Sequence, residues 1–75
     1  MQEQLQASFR QAQRQLQQGD AAAALASLAP LLRQLPDEPG ILRLAAMAHL
    51  ASGDLAAART HFERILQLLP EEAEA

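Results

Sequence analysis

The chain has 75 residues, six of them basic and nine acidic, for a net charge of −3. Ala, Leu and Gln make up more than half of it, while Cys, Lys, Asn, Val, Trp and Tyr are absent. Without Cys there is no disulfide framework and no thiolate nucleophile or metal ligand. With only Ile41, Ile65 and Thr60 β-branched there is no sheet, and an acidic balance without base-stacking aromatics argues against nucleic acid.

Taken in chain order, the pattern predicts four helices. The first, near 3–18, carries Leu5, Phe9, Ala12 and Leu16 as its apolar stripe and turns a row of glutamines outward. Gly19 can take the left-handed conformation that ends a helix, and Asp20 can cap the next. The second helix spans about 21–35; Pro30 inside it removes one backbone bond and is expected to kink the last turn, and Pro36 stops it. Asp37-Glu38-Pro39 supplies a cap and a first-turn proline for the third helix, near 39–52. That helix is apolar nearly all round, from Ile41 to Leu50, so it is expected between the first, second and fourth helices. Gly53-Asp54 repeats the turn, and a fourth helix follows near 55–69, closed by Pro70.

Shifting the chain by 34 residues pairs Leu5–Glu38 with Pro39–Glu72 and gives eleven identities. Among them are Ala12/Ala46, Leu16/Leu50, Gly19/Gly53, Asp20/Asp54, Ala24/Ala58 and Pro36/Pro70. Composition alone would give roughly four, so the self-similarity is a repeat. Repeat one is expected at 5–38, repeat two at 39–72, and a short tail at 73–75, all within one domain.

This pattern resembles the tetratricopeptide repeat family. The small residues Ala12/Ala46, the turns Gly19-Asp20 and Gly53-Asp54, Ala24/Ala58, Leu28/Phe62 and the closing prolines look like that family's positions. Ser8/Leu42 and Gln15/His49 stand where it favours bulky aromatics, and helical pairs of another solenoid type are the alternative. The resemblance implies an all-α superhelix of two helix-turn-helix repeats. It also implies a protein-binding scaffold or adaptor whose first helices line a concave groove for a peptide.

Carried onto this chain, the groove stripe is Phe9, Gln13, Leu16 and Gln17 from repeat one, and Arg43, Met47, Leu50 and Ala51 from repeat two. Phe9 and Met47 would offer an adaptable apolar surface, and Arg43 would hold a carboxylate or carbonyl. Leu16 and Leu50 read rather as inter-helix core, while for Phe9, Arg43 and Met47 core and groove stay open. The family's carboxylate-clamping subclass uses Lys and Asn, which this chain lacks.

A domain this short buries only about 60% of the surface its unfolded chain exposes, and about three repeats are normally needed for independent stability. A structural module therefore competes with the adaptor reading: either a homodimer through an apolar face near Leu55 and Leu68, or a repeat segment of a larger bacterial protein. Arg used to the exclusion of Lys, amid so much Ala and Leu, points to a GC-rich bacterial source.

No constellation for chemistry stands out. His49 and His61 lack the spacing of a metal-binding helix, and Ser8, Ser27 and Ser52 have no nucleophile-elbow context. Gly19 and Gly53 are isolated glycines rather than a phosphate-binding loop, and Asp37-Glu38 and Glu71-Glu72 complement helix dipoles. The expectation is a chain that is not an enzyme, with no catalytic residue, metal or cofactor. No apolar run reaches the ~20 residues of a membrane span. The Gln-rich start is unlike a signal peptide, and no helix has a basic face for a membrane surface. A cytoplasmic location is expected.

Overall fold

The structure is a computed structural model that describes residues 2–68. It contains four α-helices: α1 (Gln2–Gln17), α2 (Ala21–Gln34), α3 (Pro39–Ser52) and α4 (Leu55–Leu68). The ends of the expected fourth helix and second repeat, and the tail, lie outside the described residues.

Both intra-repeat turns work as their residues dictate. Gly19 and Gly53 have φ of 84° and 90°, the left-handed region that costs a side chain least when it is hydrogen. The chain then closes two reverse bonds onto each helix end. In the first turn Asp20 N donates to Gln15 O at 2.9 Å and Gly19 N to Leu16 O at 3.0 Å; in the second, Asp54 N donates to His49 O at 2.8 Å and Gly53 N to Leu50 O at 3.1 Å. Asp20 and Asp54 accept from Ala23 N and Ala57 N at 3.1 and 3.2 Å, each satisfying one orphan donor of the next helix.

The turn between repeats differs from its sequence reading. Glu38 occupies the cap position of α3, with Pro39 next, but its side chain makes no cap bond. The Asp37 carboxylate is drawn away to Arg64 on α4, which reaches Asp37 Oδ1 from Nη2 at 2.6 Å and Nε at 3.2 Å. Pro30 lies inside α2 as expected, and the helix runs one further turn to Gln34.

Packing follows chain order. α1 lies on α2, α2 on α3 and α3 on α4, with a lighter α1–α3 contact and no close backbone approach of α4 to α1 or α2. α3 is therefore the central helix, as its all-round apolar pattern requires. Ile41, Leu44, Ala45 and Ala48 of α3 join Ala12, Ala24, Leu28 and Leu31 in one core, flanked by the half-buried Leu5, Phe9, Leu16, Leu25 and Leu32. The alanines matter because they let helix axes approach: Ala12, Ala24, Ala45, Ala46 and Ala48 have no exposed surface.

Candidate functional site

α1 and α3 are the first helices of successive repeats and lie side by side, joined from behind by α2. A trough runs between them. Its half towards the intra-repeat turns is a cavity of about 270 Å³ lined from α1 by Phe9, Gln13, Leu16 and Gln17, and from α3 by Gly40, Arg43, Leu44 and Met47. The other half, about 560 Å³, continues past Phe9, Gln13 and Gly40 to Leu5, Arg10, Leu35 and Glu38. Six of the residues named for the groove, Phe9, Gln13, Leu16, Gln17, Arg43 and Met47, thus meet in one depression.

Two others do not. Ala51 is exposed and lines neither half. Leu50, read as core, is 45% exposed. Its repeat equivalent Leu16 is sheltered because α3 lies alongside α1; no described helix lies alongside α3 in the same way.

Gly40 lines both halves of the trough and was not singled out in the sequence. It is neither a turn nor a positive-φ glycine; its use is the side chain it lacks. A Cβ there would meet only Glu38 Oε1, at 3.9 Å, so the position is open and keeps the floor clear beside Phe9. The available signal was the repeat itself, which sets Gly40 against Gln6 inside a helix, where Gly costs stability.

The trough's charge is distinctive. Arg59 and Arg64 are paired, with Glu63 at 3.5 Å and Asp37 at 2.6 Å. Arg43 lines one half of the trough and Arg10 the other, both beside Phe9; like Arg14 and Arg33 they have no ion pair among the described residues. The apolar side chains of Phe9 and half-exposed Met47 therefore share the trough with two available cations. A third depression, about 700 Å³ between α1 and the last turns of α2, is rimmed by Gln4, Gln11 and Gln34 and carries no charge.

The face expected at Leu55 and Leu68 is divided. Thirteen residues apart on a helix, the two are separated by about 140° of rotation. Leu55 is 65% exposed, whereas Leu68, on the flank of the buried Ile65, is half-buried. The residues that share Leu55's exposed side are Phe62 and Leu66, at 38% and 57%.

His49 and His61, unrelated in the sequence reading, are stacked across the α3–α4 contact, ring centroids 5.2 Å apart and planes 20° from parallel. Burial, and after it the charge of His49, holds the His61 imidazole below its ordinary 6.5. His49 Nδ1 is buried without a hydrogen bond, and Asp54 Oδ2 lies 3.9 Å away. Among the described residues no three His, Asp or Glu side chains are grouped to hold a metal ion, and no helix is long and apolar enough to cross a membrane.

Paired helices on a 34-residue period, with small residues at the close contacts and a trough between the first helices, define a helical-repeat protein. The tetratricopeptide repeat family model matches residues 9–73, and the chain belongs to that family. Comparison with curated proteins and with solved structures found no match. Repeats of this family generally mediate protein–protein contacts.

Proposed function

We propose that the chain is a non-catalytic adaptor that binds a peptide segment of a partner protein in the trough between α1 and α3. The observation carrying this reading is the convergence of Phe9, Gln13, Leu16 and Gln17 with Arg43 and Met47 around an open floor at Gly40. Phe9 and Met47 supply adaptable apolar area. Arg10 and Arg43 favour a ligand that carries acidic side chains close to an apolar one.

Gly40 allows a test that separates binding from folding. Gly40→Gln, which installs the residue found at the same place in repeat one, adds a side chain to the trough lining at a position with room for its Cβ. Helix propensity then favours the variant by up to ~1 kcal/mol. Peptides selected from a random display library should be rich in Asp and Glu close to an apolar residue. They should lose at least about tenfold in affinity on Gly40→Gln, with the melting temperature unchanged or raised. Failure to select any peptide, or peptides indifferent to Gly40→Gln and to Phe9→Ala, would sink the reading.

A further inference from the structure

α2 and α4 hold equivalent places in the two repeats, yet only one is covered. On α2, Ala21, Leu25, Leu28 and Leu32 recur at four, three and four residues, and α3 packs Ile41, Leu44, Ala45 and Ala48 into the same core. The same register on α4 reads Leu55, Arg59, Phe62 and Leu66. These four side chains fall within about 60° of the helix circumference and extend along about 16 Å of it. All four are exposed, and no described helix lies over them.

A second copy stacked head to tail would bring its α1 to this face. The places where α3 sets Ile41, Leu44, Ala45 and Ala48 are filled in α1 by Ala7, Arg10, Gln11 and Arg14. Covering Phe62 and Leu66 with those residues would bury two guanidinium groups and an amide without partners. The repeat's own stacking contact is closed to copies of this chain.

The α4 row suits itself instead. In reverse it reads Leu, Phe, Arg, Leu, so a two-fold axis near its centre sets Leu55 against the partner's Leu66 and the Arg59 guanidinium over the ring of the partner's Phe62. Each contact is made twice, and the second is a cation–π contact. Glu63, 3.5 Å from Arg59 on the same helix, carries the counter-charge into the interface. We propose that this chain forms a two-fold homodimer through antiparallel α4 helices, with Leu55, Arg59, Phe62 and Leu66 at its centre. None of these residues lines the α1–α3 trough, so the dimer leaves both troughs free and is bivalent for any peptide they take.

A single helix face is a small interface, below about 1,200 Å² in total, the class of weak association. The test is sedimentation equilibrium from about 1 μM to 1 mM, a range that brackets weak pairing. The wild-type mass should rise with concentration towards twice the 8.1 kDa chain. Leu66→Glu, at an exposed position, should stay at the single-chain mass with its helical circular dichroism intact. Because the chain has no Cys, Leu55→Cys and Leu66→Cys chains can be mixed and oxidised, and the mixed disulfide should outpace both homotypic ones. A wild type that stays at 8.1 kDa throughout, a Leu66→Glu chain that still dimerises, or homotypic disulfides that form first would each overturn the proposal. Gly40→Gln should leave the mass unchanged, so failure at the trough and failure at this face read out separately.

Discussion

Leu28 and Phe62 hold the same position in the two repeats, but Leu28 has no exposed surface and Phe62 is 38% exposed. The neighbouring pairs repeat the contrast: Ala21 is 8% and Leu55 65% exposed, and Leu32 is half-buried where Leu66 lies open. Yet the residues facing the partner helix within each repeat, Ala24 and Ala58, are equally hidden at 0% and 1%. Each hairpin thus closes on itself, while the larger side chains are buried by the next repeat. In such a stack much of the core belongs to the contact between repeats.

The contrast predicts very different costs for the same truncation. Leu28→Ala removes a fully buried side chain from the shared core and should cost 2–5 kcal/mol. That is comparable with the whole stability of a domain this small, so the variant should lose cooperative thermal unfolding by circular dichroism. Phe62→Ala, measured in dilute solution where the chain is monomeric, should cost less, about 1–2 kcal/mol, because 38% of the residue is still in water. Equal losses at the two sites would mean that α4 is covered as well as α2.

A second contrast lies inside the hairpins. Where α1 meets α2, Ser27 Oγ donates to Gln15 Oε1 at 2.7 Å; at the equivalent places in α3 and α4 stand the stacked His49 and His61. The first pair has no proton to gain, and the second has two. Since the folded state holds His61 below 6.5, chiefly by burial and then by the charge of His49, the unfolded chain takes up that proton first. Stability is full above about pH 6.5 and falls as the pH drops towards the lowered value. The melting temperature should therefore fall between pH 7.5 and pH 5.5, above most carboxylate titration, by roughly 4–8 °C for each kcal/mol lost. Grafting the repeat-one pair as His49→Gln with His61→Ser should flatten this dependence. An unchanged slope would place its source elsewhere.

The helices, turns and order of packing were legible because they depend on local rules: glycines at the turns, aspartates after them, prolines at the ends, and an internal period. The trough was legible in its walls but not its floor. Phe9, Gln13, Arg43 and Met47 could be named from the family resemblance, whereas Gly40 has no side chain to name and shows only as the odd partner of Gln6 in the repeat. Leu50 was misread because periodicity marks a side chain as apolar without saying whether a neighbour exists to cover it. Pairing Leu55 with Leu68 was an error the sequence could have prevented, since thirteen residues place them on opposite flanks of any helix. The histidine stack had a weaker trace, visible only once Gln15/His49 and Ser27/His61 are set side by side as two columns of the same repeat.

The smallest expected difference concerns Arg64, whose equivalent in repeat one is Pro30. Arg64 bonds Asp37 in the turn between repeats and also donates to Gln67 Oε1 at 3.3 Å. It ties α4 to the α2–α3 connection, although α4 makes no close backbone approach to α2. Both partners of the ion pair are about half exposed, 47% and 56%, so solvent screens it and its worth is ~0–1 kcal/mol. A double-mutant cycle on Arg64→Ala and Asp37→Ala should give a coupling within that range, shrinking towards zero in about 1 M salt, where the screening length falls to ~3 Å. A salt-resistant coupling would mean the bond is made in a drier setting than the exposed turn. A coupling of zero at low salt would leave α4 held by α3 alone, making repeat two's second helix the first to fray in hydrogen exchange.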